Sequence, residues 1–216
     1  MEKINNRREW ILAVIVFLCE LVLGTYLGYH KILLGDAMSR TANAFYVFYS
    51  IPHKLTSMGL VWNPLPSVIQ LPFVLLSKLW RPLVTKGISM AFATALFQAW
   101  GVKALYRTFH VLNCRERDAL LITLLYALNP YVVFYGANGM SEIMMASAGI
   151  QVISCLSAWM RKGRPYYLIM MGFSFQIVCI KSQFGTEAFT HLGDFVCAGV
   201  RLIPCWPVRR MSAKTS

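Results

Sequence analysis

The sequence predicts an all-α integral membrane protein with about five transmembrane helices and interfacial or re-entrant helices in the first outer loop. Three observations carry that expectation. The 216 residues are 57% hydrophobic and only 14% charged, whereas a soluble domain is about one quarter charged. The apolar residues gather into runs, several of them near the ~20 residues that cross a ~30 Å hydrocarbon core. The net charge of +12, from 21 Lys and Arg against 9 Asp and Glu, falls in short clusters between those runs. A nucleic-acid-binding domain would gather such charge on one polar face, so no nucleic-acid partner is expected. The balance also argues against a water-soluble enzyme and against a disordered chain. Six cysteines (19, 114, 155, 179, 197 and 205) form no CxxC pair, and four histidines (30, 53, 110 and 191) lie far apart. Neither a zinc site nor a disulfide framework has support.

The first span is WILAVIVFLCELVLGTYLGY, residues 10 to 29, whose only charge is Glu20. A cleaved signal peptide is the rival reading, but Tyr29, His30 and Lys31 stand where small residues would mark a cleavage site. Within residues 31 to 64, TANAFYVFYS suits an amphipathic helix at the interface, with Phe45, Tyr46, Phe48 and Tyr49 at headgroup depth. The segment NPLPSVIQLPFVLLSKLW is apolar but punctuated by Pro64, Pro66 and Pro72. Further apolar runs follow at 87 to 102, 119 to 135, 143 to 160 and 166 to 180, the last two separated by the basic turn RKGRP. Gly24 and Gly28, and Ala91 and Ala95, would allow close helix contact.

Whether the proline-rich segment crosses the membrane decides every later orientation. If it does not cross, the amino terminus, residues 103 to 118 and residues 161 to 165 share one side. Those 30 residues hold 10 Lys and Arg, against 6 in the 56 residues from 31 to 86. If it does cross, the balance becomes 6 inside and 10 outside. The positive-inside rule therefore selects the non-crossing arrangement, with the amino terminus cytoplasmic. The expected location is the plasma membrane. Arg115, Arg117, Arg161, Lys162 and Arg164 then act as topology determinants.

That choice puts Asp36 and Glu142 on the outer face, and they are the only acids of the two outer loops. Asp36, near apolar walls, could act as a general base or hold a divalent cation with a second carboxylate. As an alternative it could cap a helix beginning at Ala37. Glu142 follows the turn Gly136-Ala137-Asn138-Gly139, where Ser141 or Asn138 could cap the next helix and Glu142 would suit its first turn without any function. Glu20 within a span costs roughly 2.5 to 3.5 kcal/mol unless neutral or paired, with Gln98 or Gln151 as candidate neighbours. Arg40, His53 and Lys54 are candidate contacts for an anionic lipid headgroup, and are otherwise ordinary interfacial residues.

Taken in order, LLGDAMSR, VWNPLPSVIQLPFVLLSKLW, the span from Gly87 and the stretch ALNPYVVFYGANGMSEIMM resemble the amino-terminal part of the GT-C class of membrane glycosyltransferases. The likeness lies near the family 39-like and lipid-A-sugar transferase-like groups and covers about residues 10 to 180. The resemblance implies inverting sugar transfer from a polyprenyl-phosphate donor to an acceptor of unknown identity on the outer face. It implies Asp36 as base or metal partner and Glu142 as a supporting carboxylate, with a divalent metal ion as the one candidate cofactor. Arg40, His53 and Lys54 as phosphate contacts rest on charge and not on a matched motif. Where some members carry two adjacent acids, Asp36 is followed by Ala37 and Met38.

The family's chains continue through more spans, whereas residues 181 to 216 bring Glu187, His191 and Asp194 into the place of the next one. The expectation is a truncated GT-C-like module over residues 1 to 180, with a tail not native to that fold. Activity of so short a chain is in doubt on this reading. The alternative is a non-catalytic membrane subunit, or an inert fragment, that binds or helps translocate a lipid-linked sugar. A small transporter would want inverted repeats or acids in several spans, and only Glu20 qualifies.

Overall fold

The computed structural model describes residues 6–51 and 64–181, and every regular element among them is a helix. His53, Lys54 and the tail beyond residue 181 lie outside the described residues. The order is α1 (Asn6–Tyr29), α2 (Gly35–Tyr49), α3 (Pro64–Leu76), α4 (Pro82–Thr85), α5 (Ile88–Val111), α6 (Glu116–Ala127), α7 (Pro130–Ala137), α8 (Ser141–Lys162) and α9 (Tyr166–Lys181).

Three helices, α1, α5 and α8, are long and apolar enough to cross a membrane, and a fourth crossing results if α6 and α7 count as one broken span. The apolar run at 119 to 135 is thus not one helix. It breaks by 55° between α6 and α7, because Pro130 has no N–H to continue the ladder and disfavours a helical residue before it. Asn129 starts the new helix, its side-chain oxygen accepting from the Tyr131 amide at 3.0 Å. The run at 166 to 180 is a helix of 16 residues, about 24 Å long. Glycine in the left-handed conformation ends α8 at Gly163 and precedes α5 at Gly87, with φ of 63° and 64°.

Helix α5 lies at the centre, with α1, α4, α6, α7 and α8 packed on it and α9 packed on α8. Its buried face is built from small residues, among them Ala91, Ala95, Ala99 and Ala104. Helix α1 packs antiparallel on α5. At one end the Lys103 ammonium sits over the Trp10 ring at 3.4 Å. At the other, Gly24 lies so close to Ala91 that a Cβ would meet its methyl at 2.5 Å, and Gly28 abuts the Lys86 carbonyl. Gly24, Gly28 and Ala91, among the small residues singled out in the sequence, thus make the contact.

The antiparallel pair fixes the topology. Residues 30 to 87 leave and rejoin the bundle at the same end, as Gly28 against Lys86 and Leu33 against Gly87 require. Helix α3, 13 residues or about 20 Å long, is too short to cross alone. Helix α2 is amphipathic as expected, burying Ala37, Thr41, Ala44 and Val47 while Phe45, Tyr46 and Tyr49 stay exposed. Along α1 the exposed Val14, Leu18, Val22 and Tyr26 form a stripe at a spacing of four, the pattern of a lipid-facing surface.

Gly28→Ala should lower thermal stability in detergent, since a methyl against the Lys86 backbone costs roughly 1–3 kcal/mol of overpacking. Gly149→Ala, where a Cβ meets nothing within 4 Å, should leave the unfolding midpoint unchanged or slightly raised. Equal midpoints for the two variants would refute the tight α1–α5 contact.

Candidate functional site

The end of the bundle where α1 finishes is also where α2, α5 and α8 begin. Helix α2 starts at Gly35, one residue before Asp36, and its cap is Leu34 in an extended conformation with no side-chain hydrogen bond. Asp36 is therefore not a cap, which corrects that alternative. It lies exposed in the first turn, its carboxylate not needed by the helix start. Its main-chain oxygen accepts from the Arg40 Nε at 3.3 Å and from the Ser39 hydroxyl at 2.8 Å. Another guanidinium nitrogen of Arg40, Nη1, is buried with no hydrogen-bond partner.

Glu142 occupies the first turn of α8 and is half-buried. The cap there is Met140, again without a side-chain bond, so neither Ser141 nor Asn138 caps α8. The Asn138 amide instead donates to the Phe134 carbonyl at 3.1 Å, closing the end of α7. Gly139, with φ of 76°, presses on Met90, so the α7–α8 turn sits on the first turn of α5. Since Leu33 touches Gly87 at that same turn, Asp36 and Glu142 belong to one end of the bundle.

At the same end of the bundle lies a set of buried polar side chains that the sequence reading did not select. The Gln70 amide of α3 donates to the Ser89 carbonyl of α5 at 3.5 Å. Ser67, Gln70, Ser89, Asn138 and Ser141 are all at most 1% exposed, and each keeps a side-chain oxygen with no hydrogen-bond partner. Buried polar atoms normally find partners, so these five orphaned oxygens form a polar shelf within an otherwise apolar packing. The signal was present as Ser67 and Gln70 three apart in an apolar segment, and as Ser89 directly after Gly87. Three helix amino termini at this end also favour negative charge.

Deeper in the bundle, Glu20 is 3% exposed, with both carboxyl oxygens unpartnered. It lies against Gly136 of α7, where a Cβ would meet Oε2 at 2.5 Å, and not against Gln151. Gln151 faces the opposite end and donates to the Cys155 sulfur at 3.6 Å. Thr94 of α5 ties this point together by donating to the Gly136 carbonyl at 2.5 Å. Gln98, one turn on, is fully buried with both amide atoms unpartnered. Glu20 is thus an interhelical residue set apart from the Asp36 end.

Among the described residues no group of three or more His, Cys, Asp or Glu side chains converges.

In a chain otherwise free of cysteine, Asp36→Cys and Glu142→Cys should react with a membrane-impermeant maleimide from the same side. A chain keeping Cys114, exposed at the far end, as its one cysteine should react only after permeabilisation. Labelling of positions 36 and 142 from opposite sides would dismantle the site. Comparison of the chain with protein-family models, with curated proteins and with solved structures finds no match.

Proposed function

We propose that the chain is a membrane glycosyltransferase module of the GT-C kind, moving a sugar from a polyprenyl-phosphate donor to an outer-face acceptor. One observation carries the reading: Asp36 and Glu142 occupy the first turns of two helices at one end of the bundle, around the buried polar shelf. Exposed Asp36 is suited to take the acceptor's proton as the acceptor attacks the anomeric carbon opposite the phosphate, which inverts that centre. Arg40 and the three helix amino termini offset the charge on the departing phosphate. Glu142, half-buried, orients the acceptor or the cation, and a bound divalent cation would supply further charge neutralisation. The shelf oxygens of Gln70, Ser89 and Asn138 suit sugar hydroxyls.

On this reading α6 and α7 form one broken crossing and α9 a fifth, with α3 re-entrant. The end carrying Arg8, Arg107, Arg115, Arg117, Lys162 and Arg164 faces the cytoplasm of a plasma membrane.

The test is release of polyprenyl phosphate from a polyprenyl-phosphate-linked sugar by the chain in nanodiscs, with a membrane extract supplying the acceptor hydroxyl that takes the sugar. Wild type should turn over, Asp36→Asn should lose about 10²-fold or more, and Glu142→Gln should lose less. Donor binding without turnover in wild type would overturn transferase activity and leave a non-catalytic lipid-linked-sugar subunit. Neither binding nor turnover would overturn both.

A further inference from the structure

The opposite end of the bundle holds a cleft of about 170 Å³ between α5, α8 and α9. Its charged lining is wholly cationic: Lys103 and Arg107, one turn apart on α5. Gln151 and Ser154 of α8, Tyr167 of α9 and the Trp100 ring complete the polar and aromatic wall. Two like charges at that spacing repel each other, and lining a partly enclosed cleft strips them of water. Lys103 rests on the Trp10 ring, and the hydrogen-bond partners of Arg107 are weak. The Tyr167 hydroxyl accepts from Arg107 Nη2 at 3.5 Å and from the Lys162 ammonium at 3.4 Å, so one neutral oxygen serves two cations at the long limit of a hydrogen bond. Buried Glu9 is the acid in electrostatic reach, acting on Lys103, Arg107, His110 and Lys162 together. The lining itself carries two permanent positive charges and no acid.

We propose that this cleft binds a phosphate monoester, with Lys103 and Arg107 as its charge partners and Ser154 and Gln151 as neutral donors. A phosphate monoester carries about −1.5 to −2 at neutral pH, which matches the excess. Its oxygens are stronger acceptors than the Tyr167 hydroxyl and take Arg107 in a planar, two-pronged contact. The cleft is smaller than the roughly 300–1,000 Å³ that encloses a drug-sized ligand, so it admits a headgroup and not a nucleotide sugar. Trp100 and Tyr166 on the wall are the ring types enriched at the headgroup level of a bilayer. Basic pockets between helices on the positively charged side are a recurrent way of holding acidic lipid heads. The site is independent of Asp36 and Glu142, which sit at the other end.

The test is thermal unfolding of the full chain in neutral detergent with dioctanoyl phosphatidate, dioctanoyl phosphatidylcholine or inorganic phosphate. The expected result is a midpoint rise of roughly 5–10 °C at a hundredfold excess of phosphatidate over Kd. Phosphatidylcholine, a diester with a bulky cationic head, should give no rise. Arg107→Gln should abolish the response while Arg107→Lys keeps part of it. If Arg107→Gln does not fold, Lys103→Gln makes the same comparison. A rise with inorganic phosphate matching that of phosphatidate supports the site and assigns it to a soluble phosphate. No rise with either, or an undiminished rise in the folded glutamine variant, overturns the proposal.

Discussion

The closeness of α1 to α5 is the constraint on which the rest depends. Without side chains at Gly24 and Gly28, the two backbones meet near Ala91 and Lys86. Lipid tails are as apolar as the helices, so association in a bilayer draws on such packing and on interhelical hydrogen bonds more than on hydrophobicity. The contact sets α1 and α5 antiparallel. It follows that the long connection between them returns to its starting end, and that the starts of α2, α5 and α8 share one surface. The α7 turn is fixed by the same seam, because the Ala137 carbonyl also lies against Gly24.

The two ends of the bundle are chemically unlike. One gathers helix amino termini, two carboxylates and a shelf of orphaned neutral oxygens. The other gathers cations held by aromatic rings: Lys103 over Trp10, and Arg107 and Lys162 near Tyr167. Arg8 is paired with Glu116 at that second end. Because that pair is exposed it adds little to stability, but it links the start of α1 to the start of α6.

Much of this was legible in the sequence, for identifiable reasons. Long runs of apolar residues have one structural solution in lipid, so α1, α5 and α8 could be read directly. The charge asymmetry of the loops selected the arrangement in which Asp36 and Glu142 share a face, and both stand in first turns at one end of the bundle. What escaped depends on register between helices, which a single chain does not encode locally. Glu20 met Gly136 and not Gln151 because of how α7 rests on α1. Asp36 was open to a capping role because Gly-Asp suits a turn, yet the helix begins one residue earlier. The Asn129-Pro130 break was written in the sequence, and the apolar residues on both sides hid it. The shelf of Ser67, Gln70, Ser89, Asn138 and Ser141 consists of common residues that gain meaning when four separate segments meet.

Helix α5 is laced with buried polar groups, Ser89, Thr94, Gln98 and Thr108, and carries Lys103 and Arg107 toward its end. Alone in hydrocarbon these would be costly to place, each basic residue by roughly 2.5 to 3.5 kcal/mol at the bilayer centre. Helix α1 has the more apolar window, with mean hydropathy 2.3 against 1.3, and exposes one apolar stripe, which suits it to enter a bilayer unaided. Synthesis from the amino terminus delivers α1 first and α5 some sixty residues later. The length of chain between them thus acts as a delay line, so that α1 would already be in place as the template on which the polar helix is laid down.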